Sequence, residues 1–239
     1  MQIKTEGIVI HSIRYGEADV IAKIYTKEKG LISYLIRGVL KSKKRKIKPA
    51  FLLPFSILTI DASHKSKTTL KRLIDASPIE AYTTLHQSIV KNSMVTFLTE
   101  ILLQVLADEA PDEQLYEFVA YSILWLDANE EITLFHVHFL LRLTTFLGCS
   151  PDSTNIHLTK FDLKEGNFTF NTKSGYFIEG TLLVAFKMLL GTNFDNLKEI
   201  SLPKEERKQL LNKVLLYYSF HVPGFKNPKS LLVLETLFS

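Results

Sequence analysis

Five of the six residues at positions 41–46 are cationic: Lys41, Lys43, Lys44, Arg45 and Lys46. They fall inside "RGVLKSKKRKIK", between two hydrophobic runs. The chemistry open to such a run is polyelectrolyte rather than covalent. Cations on a connection follow a phosphate backbone by displacing its condensed counterions, with log K falling by about 0.7 per log unit of salt for each single-strand phosphate neutralised. Five or six contacts would give a slope of roughly −4. The candidate contacts are Arg14, Arg37, Lys41, Lys43, Lys44, Arg45, Lys46 and Lys48. Tyr15, Tyr25 and Tyr34 are candidates for stacking an unpaired base, each stack worth about 1–3 kcal/mol. The plainer reading is a solvated connection beside core tyrosines, since basic runs are a weak motif.

Covalent catalysis has little support. The chain has no Gly-x-x-x-x-Gly-Lys-Ser/Thr, Gly-x-Gly-x-x-Gly or His-Glu-x-x-His motif, so nucleotide hydrolysis and zinc proteolysis lose their usual signatures. His136 and His138 are two residues apart on an expected helix and point about 200° from one another, which prevents a shared ligand. They read as core or interface residues. Glu130 with Glu131, and Glu205 with Glu206, sit at expected helix starts, where carboxylates favour the helix dipole. Cys149 is the single cysteine, which excludes an internal disulfide and a multi-cysteine metal site and suits a reducing compartment. No cofactor and no metal are expected.

The elements that must carry these residues change character near Pro78. Residues 1–80 hold 16 Lys/Arg against 7 Asp/Glu, and residues 81–239 hold 13 against 18. The positive field therefore belongs to the first third, as in a polyanion-binding module joined to something else. That third reads as five strands, "KTEGIVIHSIR", "DVIAKIYT", "LISYLIRG", "FLLPFSILTI" and "TTLKRLID". The second and third are expected to form a hairpin closed at Gly30, with the longest connection between the third and fourth. Pro49 and Pro54 suit a strand start and a bulge or edge. Five short strands predict a small closed or nearly closed barrel such as an OB-fold, over 1–79.

Residues 80–239 predict an all-helical domain. A first helix spans 85–106 with Ile89, Met94, Phe97, Leu98, Ile101, Leu102 and Val105 on its apolar face. A second follows Pro111 with a stripe of Leu115, Phe118, Val119, Ser122, Ile123 and Leu126. A third, over 131–147, is apolar nearly all round and ends at Gly148. The turn-rich stretch 149–178 predicts a hairpin insertion, followed by helices over 181–191 and 203–220 and an apolar helical tail that docks back. No apolar run is long enough for a membrane span, and the start lacks a signal-peptide pattern, so the expected place is the cytoplasm.

Residues 6–45 resemble the start of the bacterial DNA repair protein RecO family. They share a first strand ending in Arg14, the corner Tyr15-Gly16-Glu17-x-Asp19, the hairpin residues Thr26 and Gly30, Arg37-Gly38 and a Lys/Ser/Arg loop. "LLPFSIL" and "YYSFHVPGFKNPKSLLVL" are similar as well. The resemblance implies an OB-fold followed by a helical domain, and a recombination mediator that is not an enzyme. Such a protein binds single- and double-stranded DNA, anneals strands and, with RecR, helps RecA load where single-strand binding protein (SSB) covers the strand. It also implies capture of the acidic SSB tail by an apolar pocket rimmed by cations, for which Arg142, Lys187, Arg207 and Lys213 are candidates. Many members carry a four-cysteine zinc ribbon, from which the lone Cys149 departs. Competing readings are an RNA-binding OB protein of translation or ribosome assembly and a protein-interaction scaffold whose lysines serve solubility.

Overall fold

The computed structural model describes residues 2–41, 46–64, 68–107 and 109–237. The chain divides into two compact units, Met1–Asp127 and Ala128–Ser239.

In the first unit, strands β1 (Gln2–Tyr15), β2 (Asp19–Thr26), β3 (Gly30–Ile36), β4 (Ile57–Ser63) and β5 (Leu70–Pro78) close a barrel in the order β1-β2-β3-β5-β4. This is the OB-fold order, with β3 parallel to β5 and the other pairs antiparallel. Gly30 closes the β2–β3 hairpin at φ 66°, a conformation that favours glycine. Alternation along the strands sends Val20, Ala22, Ile24, Tyr34, Ile36, Leu58, Ile60 and Ala62 into one core. A bulge between Val9 and His11 resets the register of β1, so that Ile13 and Tyr15 face outward.

The expected fourth strand begins later than the sequence suggests. Residues Pro49–Leu52 form a short 3-10 turn whose Leu52 enters the barrel core, and pairing starts only at Ile57. Pro49 opens this turn rather than a strand, and Pro54 lies in the turn that follows. Phe55 takes φ 66° there, which is costly for a bulky residue. Its N–H donates to the Val9 carbonyl at 2.6 Å, and its carbonyl accepts from the Tyr82 hydroxyl at 2.9 Å. The first bond holds the turn on the β1 bulge, and the second ties it to Tyr82 in the segment after β5.

Helix α1 (Ile89–Val105) starts at the Ser88 cap, so Ile89 stands exposed before the apolar face begins. Helix α2 (Glu113–Ala128) docks on the β2–β3 hairpin. Lys27 reaches Glu117 at 2.5 Å and Glu113 at 3.1 Å, and the Tyr25 hydroxyl donates to the Asp112 carbonyl at 3.1 Å. At the far end of α2, Asp127 accepts from the N–H groups of Thr83, Thr84 and Leu85 at 2.9, 2.8 and 2.6 Å. Burial alone would raise this carboxyl, but the backbone donors outweigh it and hold it down to about 2. Buried Lys91 closes the same junction, donating to Thr84 Oγ1 and to the Asp127 carbonyl at 2.6 and 2.8 Å.

The second unit is built on α3 (Phe135–Phe146), shorter than the sequence predicts because 131–134 form a turn. It is buried on all sides except at Arg142 and Thr145 and at its half-buried end, Phe146. The 149–178 stretch is more than a hairpin: β6 (Lys160–Asp162) is the centre of a three-stranded sheet with β7 (Asn167–Thr169) and β8 (Phe177–Glu179). Helices α4 (Gly180–Gly191), α5 (Lys204–His221) and α6 (Leu231–Leu237) follow, with a 3-10 turn at Phe194–Glu199. The Tyr218 hydroxyl ties α5 to the Leu140 carbonyl of α3 at 2.7 Å. In the tail Leu234 is fully buried and Leu231 half-buried, while Leu232 and Val233 stay exposed.

His136 and His138 lie in this core. Burial, with Arg207 adding a repulsive charge, pushes His136 down to about 3. Burial likewise pushes His138 down to about 4, although its Nδ1 lies 3.2 Å from the Leu189 carbonyl. The unfolded chain takes up these protons near pH 6.5 while the folded unit resists them. Stability is therefore complete above pH 6.5 and drains away towards pH 4. The opening free energy of α3, taken from amide hydrogen exchange after dividing out the intrinsic rate at each pH, is expected to fall steadily across that window, and a constant value from pH 7 to 4.5 would contradict it.

Candidate nucleic-acid interface

The barrel presents its outward strand positions as rows. Ile13 pairs with Ile21, Ile21 with Leu35 and Leu35 with Arg72, so one apolar row crosses β1, β2 and β3 and ends in a cation on β5. The neighbouring row sets His11 against Lys23 and Ser33. The row on the other side pairs Tyr15 with Asp19 at the β1–β2 corner. Ile13 is 48% exposed and Tyr15 54%, and Ile21 and Leu35 are half-buried. An apolar strip that remains wet between Lys23, Arg37 and Arg72 has the composition of a base-contacting surface.

The rim above it is set by the corner residues. The Asp19 carboxylate accepts from the Gly38 N–H at 2.6 Å, and the Leu40 N–H donates to the Ala18 carbonyl at 3.0 Å. These bonds strap the start of the basic connection to the β1–β2 turn. Arg14 folds over the same turn, its Nε and Nη2 donating to the carbonyls of Gly16 and Glu17 at 3.3 and 3.2 Å. Lys41 lies 3.8 Å from Glu17. On the other flank, Lys46 lies 3.8 Å from Asp75, and the Lys48 ammonium sits 5.9 Å from the Phe51 ring centre. Lys43, Lys44 and Arg45 lie outside the described residues.

Of the proposed stacking residues, only Tyr15 offers an exposed ring. Tyr34 is fully buried in the barrel core, its hydroxyl 3.2 Å from His64 Nε2, and Tyr25 is covered at its docking contact with α2. The reason is register: position 34 shares its face with Ile32 and Ile36, which point inward. Lys23, Arg72 and the Ile13–Ile21–Leu35 strip were not singled out from sequence. The available signal was that both alternating faces of β1 and β2 are apolar.

The four cations expected around an apolar pocket do not gather at one rim. Arg207 of α5 lines a small pocket of about 30 Å³ with Lys204, Lys208, Leu211 and Leu234, and donates to the Leu202 carbonyl at 2.9 Å. Lys187 instead donates to the Leu158 carbonyl at 2.7 Å. Arg142 is exposed on α3 and Lys213 half-buried on α5, and neither lines that pocket.

Two comparisons decide the family. The model "Recombination protein O N terminal" matches residues 1–82, and "Recombination protein O C terminal" matches 86–231. The chain belongs to the RecO family. It is 39% identical to the DNA repair protein RecO of Christiangramia forsetii over the full length of both chains, and 39% identical to that of Flavobacterium johnsoniae over the same extent. The RecO of Bacteroides fragilis is 31% identical over 98% of each. The family's zinc ribbon does not fit the residues present. Cys149 stands alone, with its thiol pushed up by burial, and no group of three or more His, Cys, Asp or Glu that could hold a metal occurs among the described residues. Buried Asp162 organises that stretch instead, accepting from Lys164 N, Glu165 N, Thr172 Oγ1 and Ser174 Oγ. Burial opposes its charge, and these donors still hold it below the usual carboxylate range.

The two tyrosines make the placement testable. Tyr34→Ala is expected to cost about 3–5 kcal/mol of stability, as for other large buried rings. Tyr15→Ala should stay within about 0.5 kcal/mol of the parent. Urea unfolding of the two variants would show equal losses if the register were wrong.

Proposed function

We propose that this chain is a recombination mediator in DNA repair, acting in the cytoplasm at the nucleoid, and that its barrel binds single- and double-stranded DNA. The observation carrying this reading is the wet Ile13–Ile21–Leu35 strip between Lys23, Arg37 and Arg72 on a closed OB barrel. Family membership and the names of the relatives support it. The work asked of the protein is electrostatic and geometric. Two polyanions brought to one basic surface repel each other less, and an apolar strip beside the cations favours unpaired bases over stacked ones. Strand annealing follows from those two effects without bond making or breaking, and the reading includes no enzymatic activity and no cofactor.

Partners enter the proposal through the second unit. Capture of an acidic, Phe-ending tail such as that of SSB is part of the reading through Arg207, Lys204 and Lys208, but the hollow beside them is only about 30 Å³ and Glu235 pairs with Lys208 at 3.2 Å, so the tail would have to displace Glu235 and open the hollow to enter. Cooperation with RecR in loading RecA is part of the same reading.

The test is fluorescence anisotropy of a labelled single-stranded 30-mer at several salt concentrations. The parent is expected to bind with a steep negative slope. A variant with Lys41, Lys43, Lys44, Arg45 and Lys46 all changed to Gln should lose affinity and lose about 3 to 4 from the slope magnitude, at 0.7 per phosphate. Indifference to salt would favour the scaffold reading, and strong preference for structured RNA the translation reading.

A further inference from the structure

The β3–β5 seam holds a feature that strand binding across the face does not require. Among the described residues the two strands pair over three positions, Ser33 to Leu35 against Leu70 to Arg72. Just beyond the last pair lies an open concavity of about 370 Å³. Its walls include Arg37, Lys46 and Arg72, and its floor Ile36, Leu73 and Ile74. The size falls within that of small-ligand sites.

A second observation explains why Ile74 is there. In the β4–β5 pairing, Ala62 faces Leu73 and Asp61 faces Asp75, so Ile74 is an extra residue in β5. That bulge leaves Ile74 45% exposed beside the cations while Leu73 stays in the core. Bulges commonly re-aim a side chain at a functional edge. Here the bulge puts an apolar surface at the mouth of a tricationic hollow.

We propose that this seam concavity takes one unpaired nucleotide of a single strand, its phosphate on Arg37, Lys46 and Arg72 and its base against Ile74. The inference rests on the reading of the barrel as a nucleic-acid-binding surface and adds the discriminating residues, Arg72 and Ile74. A duplex keeps its bases stacked and paired, and extruding one costs a few kcal/mol, so the hollow favours single strands. Asp75, 3.8 Å from Lys46, competes with the phosphate for that lysine. Its removal should therefore tighten binding.

The experiment compares the full-length parent with Arg72→Gln, Ile74→Ser and Asp75→Asn, using a single-stranded oligo(dT) 30-mer and a 30-base-pair duplex. Arg72→Gln is expected to weaken single-strand binding and to reduce the salt slope by about 0.7. Ile74→Ser should weaken it with the slope unchanged, Asp75→Asn should strengthen it, and duplex binding should hardly move. Isoleucine-methyl NMR of the parent with oligo(dT) 6-mer gives a direct readout, in which the Ile74 and Ile36 methyls shift. If the Ile74 methyl stays still at saturation, or if Arg72→Gln and Ile74→Ser bind the strand as the parent does while the five-site loop variant is weakened, the seam site is overturned and the barrel reading survives. Equal losses on strand and duplex overturn the selectivity. If the parent binds neither, both readings fall.

Discussion

Closing five strands on themselves leaves at least one parallel pair, here β3 with β5, and among the described residues that seam is three residue pairs long. The rest of the barrel is arranged around this constraint. β3 and β4 run in opposite directions but are separated by β5, so the connection between them has to cross the end of the barrel past β5. The 37–56 connection crosses that end, supplies Leu52 to the core and carries the basic run. Lys41 and Lys46, the described cations of that run, sit near the β1–β2 corner and near β5 because the connection crosses there.

The same closure decides which apolar residues are available to a ligand. A small barrel has room for one set of inward side chains, and the inward set of β2 and β3 is complete with Val20, Ala22, Ile24, Tyr34 and Ile36. Apolar residues of the opposite parity must then be covered or left wet. Tyr25 is covered, by the start of α2. Ile13, Ile21 and Leu35 are farther from that contact, and none is fully buried. Exposed apolar surface of this kind is a standing cost in a free protein, so its retention between cations argues for a ligand that offers both rings and phosphates.

The five-stranded barrel and the helical character of the remainder were legible because alternation and the 3–4 residue period are strong local signals. The fourth strand was not, since "PAFLLPFSILTI" is an apolar run without alternation. Its first half turns on Pro49 and on a positive φ at Phe55 that only the Val9 bulge explains. Helix α1 was read four residues early because periodicity ignores caps, and Ser88 sets the true start. At the site, the cations of the rim could be named from sequence as a charge run, but choosing among the tyrosines needed the register. Arg72 and Ile74 were out of reach altogether. Their placement depends on a long-range pairing and on one extra residue in β5.

Acidic residues stand among the rim cations, and their geometry shows how weakly they hold them. Lys41 meets Glu17, and Lys46 meets Asp75, each at 3.8 Å, with the side chains of three of these four residues more than half exposed. Exposed pairs at that distance contribute about 0–1 kcal/mol and are screened by salt. They hold the ammonium groups near the rim without binding them tightly. A phosphate backbone offers repeated charges and releases condensed counterions as it is neutralised, a gain that no single carboxylate can match. Such weak pairs cost little to break, so they do not by themselves stand against a polyanion ligand.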